Sequence, residues 1–112
     1  MGVTLHPRVK LWLVNEKDES VFGEGLAMLL GAVDKHGSLF AASIHLNMSY
    51  RYALHRILLA EKRLGFKLIE RRRGGVSGGR SELTIEGRRM LEEYEKIKSL
   101  VEELIKTTKC EF

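Results

Sequence analysis

A chain of 112 residues can bury one hydrophobic core and is too short for two. Its 44% hydrophobic and 30% charged residues exclude a disordered chain, and its longest apolar run, Leu26–Val33, is far below the roughly 20 residues that cross a bilayer. The net charge of +4 hides an asymmetry: nine of the 19 Lys and Arg lie between Tyr50 and Arg80 against only Glu61 and Glu70, a formal +7, while residues 1–49 carry −1 and residues 81–112 carry −2.

In chain order, Val9 to Val14 is β-rich and alternates, with Val9, Leu11 and Leu13 on one face. Asn15 to Glu19 is a polar turn and Ser20-Val21-Phe22 a short return strand. From Gly25 the period becomes helical through Leu26, Leu29, Leu30 and Val33. Lys35 and His36 suit the negative end of that helix, and Gly37 is a stop. Ser38 caps a second helix, Leu39 to His45; after the turn at 46–48, Ser49 caps a third, ending near Leu64. Ala53, Ile57, Ala60 and Leu64 form its buried stripe. Phe66 to Glu70 is a strand, residues 71–80 a glycine-rich arginine-flanked loop, and residues 81–83 the return strand. Thr84 caps a last helix running to about Lys106 and about 33 Å long.

This order is hairpin, helix, helix–turn–helix, hairpin, long helix: a mainly helical α+β chain of winged helix–turn–helix type. Residues 1–84 form the winged unit with its leading hairpin, and residues 85–112 a C-terminal dimerisation helix within the same structural unit. On that last helix Met90, Tyr94, Ile97, Val101 and Leu104 step by four and three, with Leu91, Leu100 and Ile105 widening the stripe. The spacing predicts pairing with a twofold mate into a homodimer.

The basic window points to double-stranded DNA. Opposite the buried stripe of the third helix lie Arg51, Tyr52, His55 and Lys62, with Ser49 and Tyr50 in the first turn, the part that reaches base edges in this motif. Arginine forks onto guanine, and hydroxyls bond bases or phosphates. The acidic partners that normally lace a solvated helix face are nearly absent. Leu58 and Leu59 do not suit a polar groove face and are expected against the wing or a partner subunit. In the wing, Arg71, Arg72, Arg73 and Arg80 supply charge, and Gly74, Gly75, Gly78 and Gly79 allow close backbone approach to phosphate.

Other chemistries have little support. Gly74 to Ser81 has P-loop spacing with Arg80 in place of lysine, but such a loop must open a helix, whereas residues 81–83 read as a strand. His6, His36, His45 and His55 show no metal-ligand spacing with one another or with Cys110, and no nucleophile–base set stands out, so neither enzyme activity, metal nor cofactor is expected. The lone Cys110 and the absence of a signal-peptide core fit a cytoplasmic chain with no membrane role. Two alternatives share the charge pattern: a winged-helix module that docks an acidic protein, and a non-specific nucleic-acid binder.

Gly37-Ser38-Leu39-x-Ala41-Ala42, then Met48 to Arg51, Leu68 to Arg71 with the two Gly-Gly pairs, and Leu83-Thr84-x-x-Gly87 resemble the N-terminal DNA-binding domain of the molybdate-responsive ModE regulators. That domain is related to the LysR-type winged helix, and the likeness spans about residues 9–105. It implies a dimeric prokaryotic transcription regulator. Its DNA-contacting positions map onto Ser49, Tyr50, Arg51, His55, Arg71, Gly74, Gly75, Gly78 and Gly79. The chain departs from the pattern at Tyr52, where a small residue is usual, at Leu54, where Trp is typical, and at Val76, Ser77 and Arg80 in the wing. ModE regulators bind molybdate through a separate C-terminal domain, so no oxyanion is expected on these 112 residues.

Overall fold

The computed structural model describes residues 2–72 and 79–112. The elements follow in the order β1 (Thr4–Leu5), β2 (Trp12–Val14), β3 (Ser20–Gly23), α1 (Glu24–His36), α2 (Leu39–His45), α3 (Tyr50–Leu64), β4 (Ile69–Arg72), β5 (Arg80–Leu83), α4 (Ile85–Ile105) and β6 (Cys110–Glu111). They form three antiparallel two-stranded ribbons, β1–β6, β2–β3 and β4–β5, around four helices. The fold is the expected mainly helical α+β arrangement with a hairpin directly after the third helix.

Local chemistry sets the helix ends. Ser38 Oγ accepts from Ala41 N at 3.0 Å and Ser49 Oγ from Tyr52 N at 3.0 Å, each relieving an orphan amide of the first turn. Gly37 (φ 80°) and Gly65 (φ 85°) end α1 and α3 in the left-handed region, where a side chain is strained. Asn47 (φ 56°) makes the tight α2–α3 turn with a residue type that tolerates this conformation.

The core is built on α1, which buries Leu26, Ala27, Leu29, Leu30, Ala32 and Val33 and packs on every other helix, on β3 and on β5. Val21, Phe22, Leu39, Ala42, Ala53, Ile57, Ala60, Leu68, Ile69 and Tyr94 complete it. At about 1.5–3 kcal/mol for each large side chain removed from water, this cluster dominates the stabilising side. Leu11 and Leu13 pack on it, as their alternation predicts, while Val9 stays exposed and outside the strand. Leu54, at the position where ModE-type chains carry Trp, is partly buried against the same cluster.

Some expectations are corrected. The leading strand begins at Trp12 rather than Val9, and the wing strand at Ile69 rather than Phe66. The termini form an unforeseen ribbon, with Thr4 opposite Glu111 and Leu5 opposite Cys110. Tyr94 does not belong to a partner-facing stripe. It is 1% exposed, its ring meets Phe22 edge-on at 5.4 Å, and its hydroxyl donates to the Leu11 carbonyl at 2.9 Å. Met90 and Leu91 also pack on the chain's own core. Apart from Ile85 in its first turn (86% exposed), the free apolar surface of α4 lies further along, at Leu100 (63% exposed) and Leu104 (79% exposed), with Ile97 and Val101 half-buried. The molecule is elongated, 63 × 31 × 21 Å.

The start of α4 is fixed from several directions. Thr84 Oγ1 accepts from Gly87 N (2.8 Å) and donates to the Lys67 carbonyl (2.7 Å), and Thr84 N donates to the Leu68 carbonyl (3.0 Å). Arg88 grips Asp34 of α1 through two bonds of 2.7 and 3.2 Å, which hold the Asp34 carboxyl below its ordinary range. Among the described residues no helix is long and apolar enough to cross a membrane.

Candidate nucleic-acid interface

Helical periodicity divides α3 into three faces. Ala53, Ile57 and Ala60 are buried against α1 and α2. Arg51, His55, Leu58 and Lys62 step by four, three and four along the outward face, and all are exposed. Tyr52, Arg56, Leu59 and Arg63 share the spacing one residue later and lean toward the leading hairpin. The Arg56 guanidinium lies 6.0 Å from the Tyr52 ring centre, and Arg63 Nη1 donates to the Ser20 carbonyl at 2.6 Å, with Glu19 3.9 Å from its Nε. Arg63 is therefore a structural tether between α3 and the hairpin turn. Leu59 is half-buried beside Trp12 and Phe22 rather than against the wing, and Leu58 is exposed in the single chain, away from the wing alternative expected for this pair.

The wing joins this surface at the N-terminal end of α3. In the β4–β5 ribbon, Ile69 pairs with Leu83, Glu70 with Glu82, Arg71 with Ser81 and Arg72 with Arg80. Paired residues share a face and successive pairs alternate. Ile69 and Ser81 are buried, so Arg71 stands on the core-side face and extends past its edge. There Arg71 Nη1 donates to the Tyr50 hydroxyl at 3.3 Å. Arg80 occupies the opposite face and lines a shallow surface with Gly37, Asp34 and Arg88. The ribbon is held to the helix–turn–helix by Ser81 N, which donates to the Gly37 carbonyl at 3.0 Å.

Of the residues assigned to DNA from sequence, Ser49, Tyr50, Arg51, Tyr52 and His55 come together on the exposed N-terminal half of α3, and Arg71 meets them. The Ser49 oxygen is engaged in capping, leaving its hydroxyl proton to bond outward. Gly79 and Arg80 lie in the described wing base. Arg73, Gly74, Gly75 and Gly78 lie outside the described residues, as does the Arg72 side chain. The P-loop alternative is excluded by context, because Ser81 sits in a strand paired with Arg71 and opens no helix.

Glu61 is a residue that sequence reasoning passed over as a stray negative charge. Its Oε2 accepts from Leu68 N (2.7 Å) and Ile69 N (3.3 Å), the two amides that begin the wing. The carboxylate thus fixes the α3–β4 angle, and its charge is spent on backbone amides rather than on neutralising arginines. Glu61→Ala should destabilise the fold by about 1–3 kcal/mol, the cost of unsatisfied amides beside Leu68 and Ile69. A thermal-unfolding midpoint equal to that of the parent chain would contradict this role.

The imidazoles of His36 and His45 touch, with ring centres 4.5 Å apart at the ends of α1 and α2. His45 is exposed. Among the described residues no group of three or more His, Cys, Asp or Glu could hold a metal.

The model of the bacterial regulatory helix-turn-helix proteins of the LysR family matches residues 27–88, from α1 through the first turn of α4. The chain belongs to this family. The match takes in the helix–turn–helix, the wing and Gly87, and leaves out the leading hairpin and most of α4. Among solved structures, the CbnR_DBD–DNA complex is similar, with 27% sequence identity and a TM-score of 0.53 over 69% of this chain and 83% of that one. No curated protein sequence matches the chain.

Proposed function

We propose that this LysR-type chain is a sequence-specific, double-stranded-DNA-binding transcription regulator that works as a homodimer in the cytoplasm. The observation that carries the reading is the Arg71–Tyr50 bond, which joins the wing to the first turn of α3 within a regulatory helix-turn-helix family. The likeness to a structure of a DNA complex supports it. In this reading α3 enters the major groove N-terminus first. Tyr50, Arg51 and His55 reach base edges, while the wing arginines and the amides at the start of α3 bind phosphates. Ile97, Leu100, Val101 and Leu104 pair two copies along the distal half of α4. The ModE-like pattern is the finer version of the proposal, adding a twin-glycine wing that lies close along the backbone. No small molecule is assigned to the chain.

Two substitutions test the division of labour. Arg51→Ala should cost about 1–3 kcal/mol on the preferred duplex and relax base preference at one position per half-site. Arg71→Ala should weaken every duplex alike and reduce the slope of log K against log[salt] by about one. Fluorescence-anisotropy titrations on preferred and scrambled duplexes measure both. Arg51→Ala leaving base preference intact would remove α3 from the readout.

A further inference from the structure

We propose that Phe40, with Ile44 and the ring of Tyr50, forms an apolar plate that reads the C5-methyl groups of thymine in the major groove; the proposal rests on the duplex-binding reading above. One face of α2 is fully withdrawn from water through Leu39, Ala42 and Ser43. The outer face of such a helix is ordinarily polar. Here it carries Phe40 and Ile44, one turn apart and 60% and 62% exposed. The Phe40 ring centre lies 6.2 Å from that of Tyr50, so the plate runs without interruption onto the first turn of α3. At its far edge Arg71 holds the Tyr50 hydroxyl, and the exposed Arg51 follows Tyr50 on α3.

The surroundings of the plate select its occupant. Its cationic neighbours, in the +7 window of the chain, favour a polyanion over an acid-free apolar protein surface. Phe40 and Ile44 offer no side-chain donor or acceptor, so they cannot bond a phosphate or a polar base edge. The apolar group that a base pair displays in the major groove is the thymine methyl, and phenylalanine is among the side chains that contact it. Aromatic side chains have only two rotatable torsions, so the pair presents this surface with little ordering cost. Phe40 thus adds a specificity position on the second helix to those on α3.

The test compares thymine with deoxyuridine, which pairs identically and lacks only the methyl. The full chain is used to select a preferred duplex from a random pool, and that duplex is resynthesised with deoxyuridine at each thymine in turn. Loss of the contacted methyl should weaken binding about fourfold, the effect of burying one CH₂-sized group. Phe40→Ala should weaken the thymine duplex several-fold and bring the thymine-to-deoxyuridine ratio to within about twofold of unity, with an unchanged salt slope because no phosphate contact is lost. Ile44→Ala should move the ratio the same way by less, and Phe40→Leu should retain it. Equal affinity of the unaltered chain for both duplexes, a selected site without thymine, or a ratio that survives Phe40→Ala would each overturn the proposal while leaving DNA binding intact. No duplex binding at low salt would overturn the DNA reading itself, and this inference with it.

Discussion

Gly87→Ala is expected to destabilise the protein by about 3 kcal/mol or more, beyond the usual range for adding one carbon to a packed site. A Cβ on Gly87 would overlap the Leu68 carbonyl oxygen and lie 2.9 Å from the carbonyl carbon. Both are backbone atoms, so no rotamer change relieves the clash. That carbonyl also accepts from Thr84 N, which ties it to the cap of the same helix. Alanine favours the helix over glycine by about 1 kcal/mol, and this offsets only part of the penalty. The outcome is a shifted α4 and a displaced wing base, because residues 67–69 anchor both. The unfolding midpoint should fall by roughly 10 °C or more, with weakened duplex binding at temperatures where the variant remains folded. An unchanged midpoint would mean that α4 does not seat its first turn on the Leu68 backbone.

Tyr94→Ala should cost about 3–5 kcal/mol, the range for removing a large aromatic from a core that cannot collapse around the space. That is a large share of the roughly 5–15 kcal/mol that stabilises a domain. Tyr94 spans the molecule: it starts on α4, packs its ring on Phe22 of β3 and bonds Leu11 just before β2. Tyr94→Phe isolates the bond, and leaving the Leu11 carbonyl unpaired should cost about 1 kcal/mol. Burial pushes the phenol above its ordinary pKa, because the anion loses its water. The resulting stabilisation is complete below the ordinary tyrosine range and is lost as pH rises through the elevated value. Chemical denaturation of the parent chain and both variants measures these effects. A Tyr94→Ala variant as stable as Tyr94→Phe would contradict the packing, and would return this residue to the pairing stripe predicted from its spacing.

These two residues also mark where the sequence stops being legible. Ser38, Ser49 and Thr84 announce helix starts because a cap bonds an amide two or three residues away, within reach of local reading. Gly37 and Gly65 announce stops for a similarly local reason. The stripe Ala53, Ile57 and Ala60 is visible because helical period alone puts it on one face. Tyr94 obeys the same period and yet faces its own core, since periodicity tells which side is apolar but not which molecule covers it. Gly87 was legible only as part of a family pattern; its reason is a backbone contact with Leu68, 19 positions earlier. Glu61 could be counted but not interpreted, because its partners are main-chain amides.

The candidate interface was legible in outline and altered in detail. Charge counting located it between Tyr50 and Arg80, but counting assigns no direction to a side chain. Arg63 turns to the hairpin, and the alternation of a two-residue period separates Arg71 from Arg80. The surface that results is smaller than the charge total suggests. It is centred on the junction of α2, α3 and β4 rather than spread along the whole of α3.

We propose duplex binding at this surface that is driven electrostatically and is sequence-specific. It is tested most directly by titrating a selected duplex and a scrambled one of equal length across a salt series. With about six to ten phosphates neutralised by the dimer, log K should fall against log[salt] with a slope of roughly −5 to −9, and the selected duplex should remain the tighter ligand at every salt concentration. Affinities that coincide for the two duplexes throughout the series, or that hardly respond to salt, would contradict it.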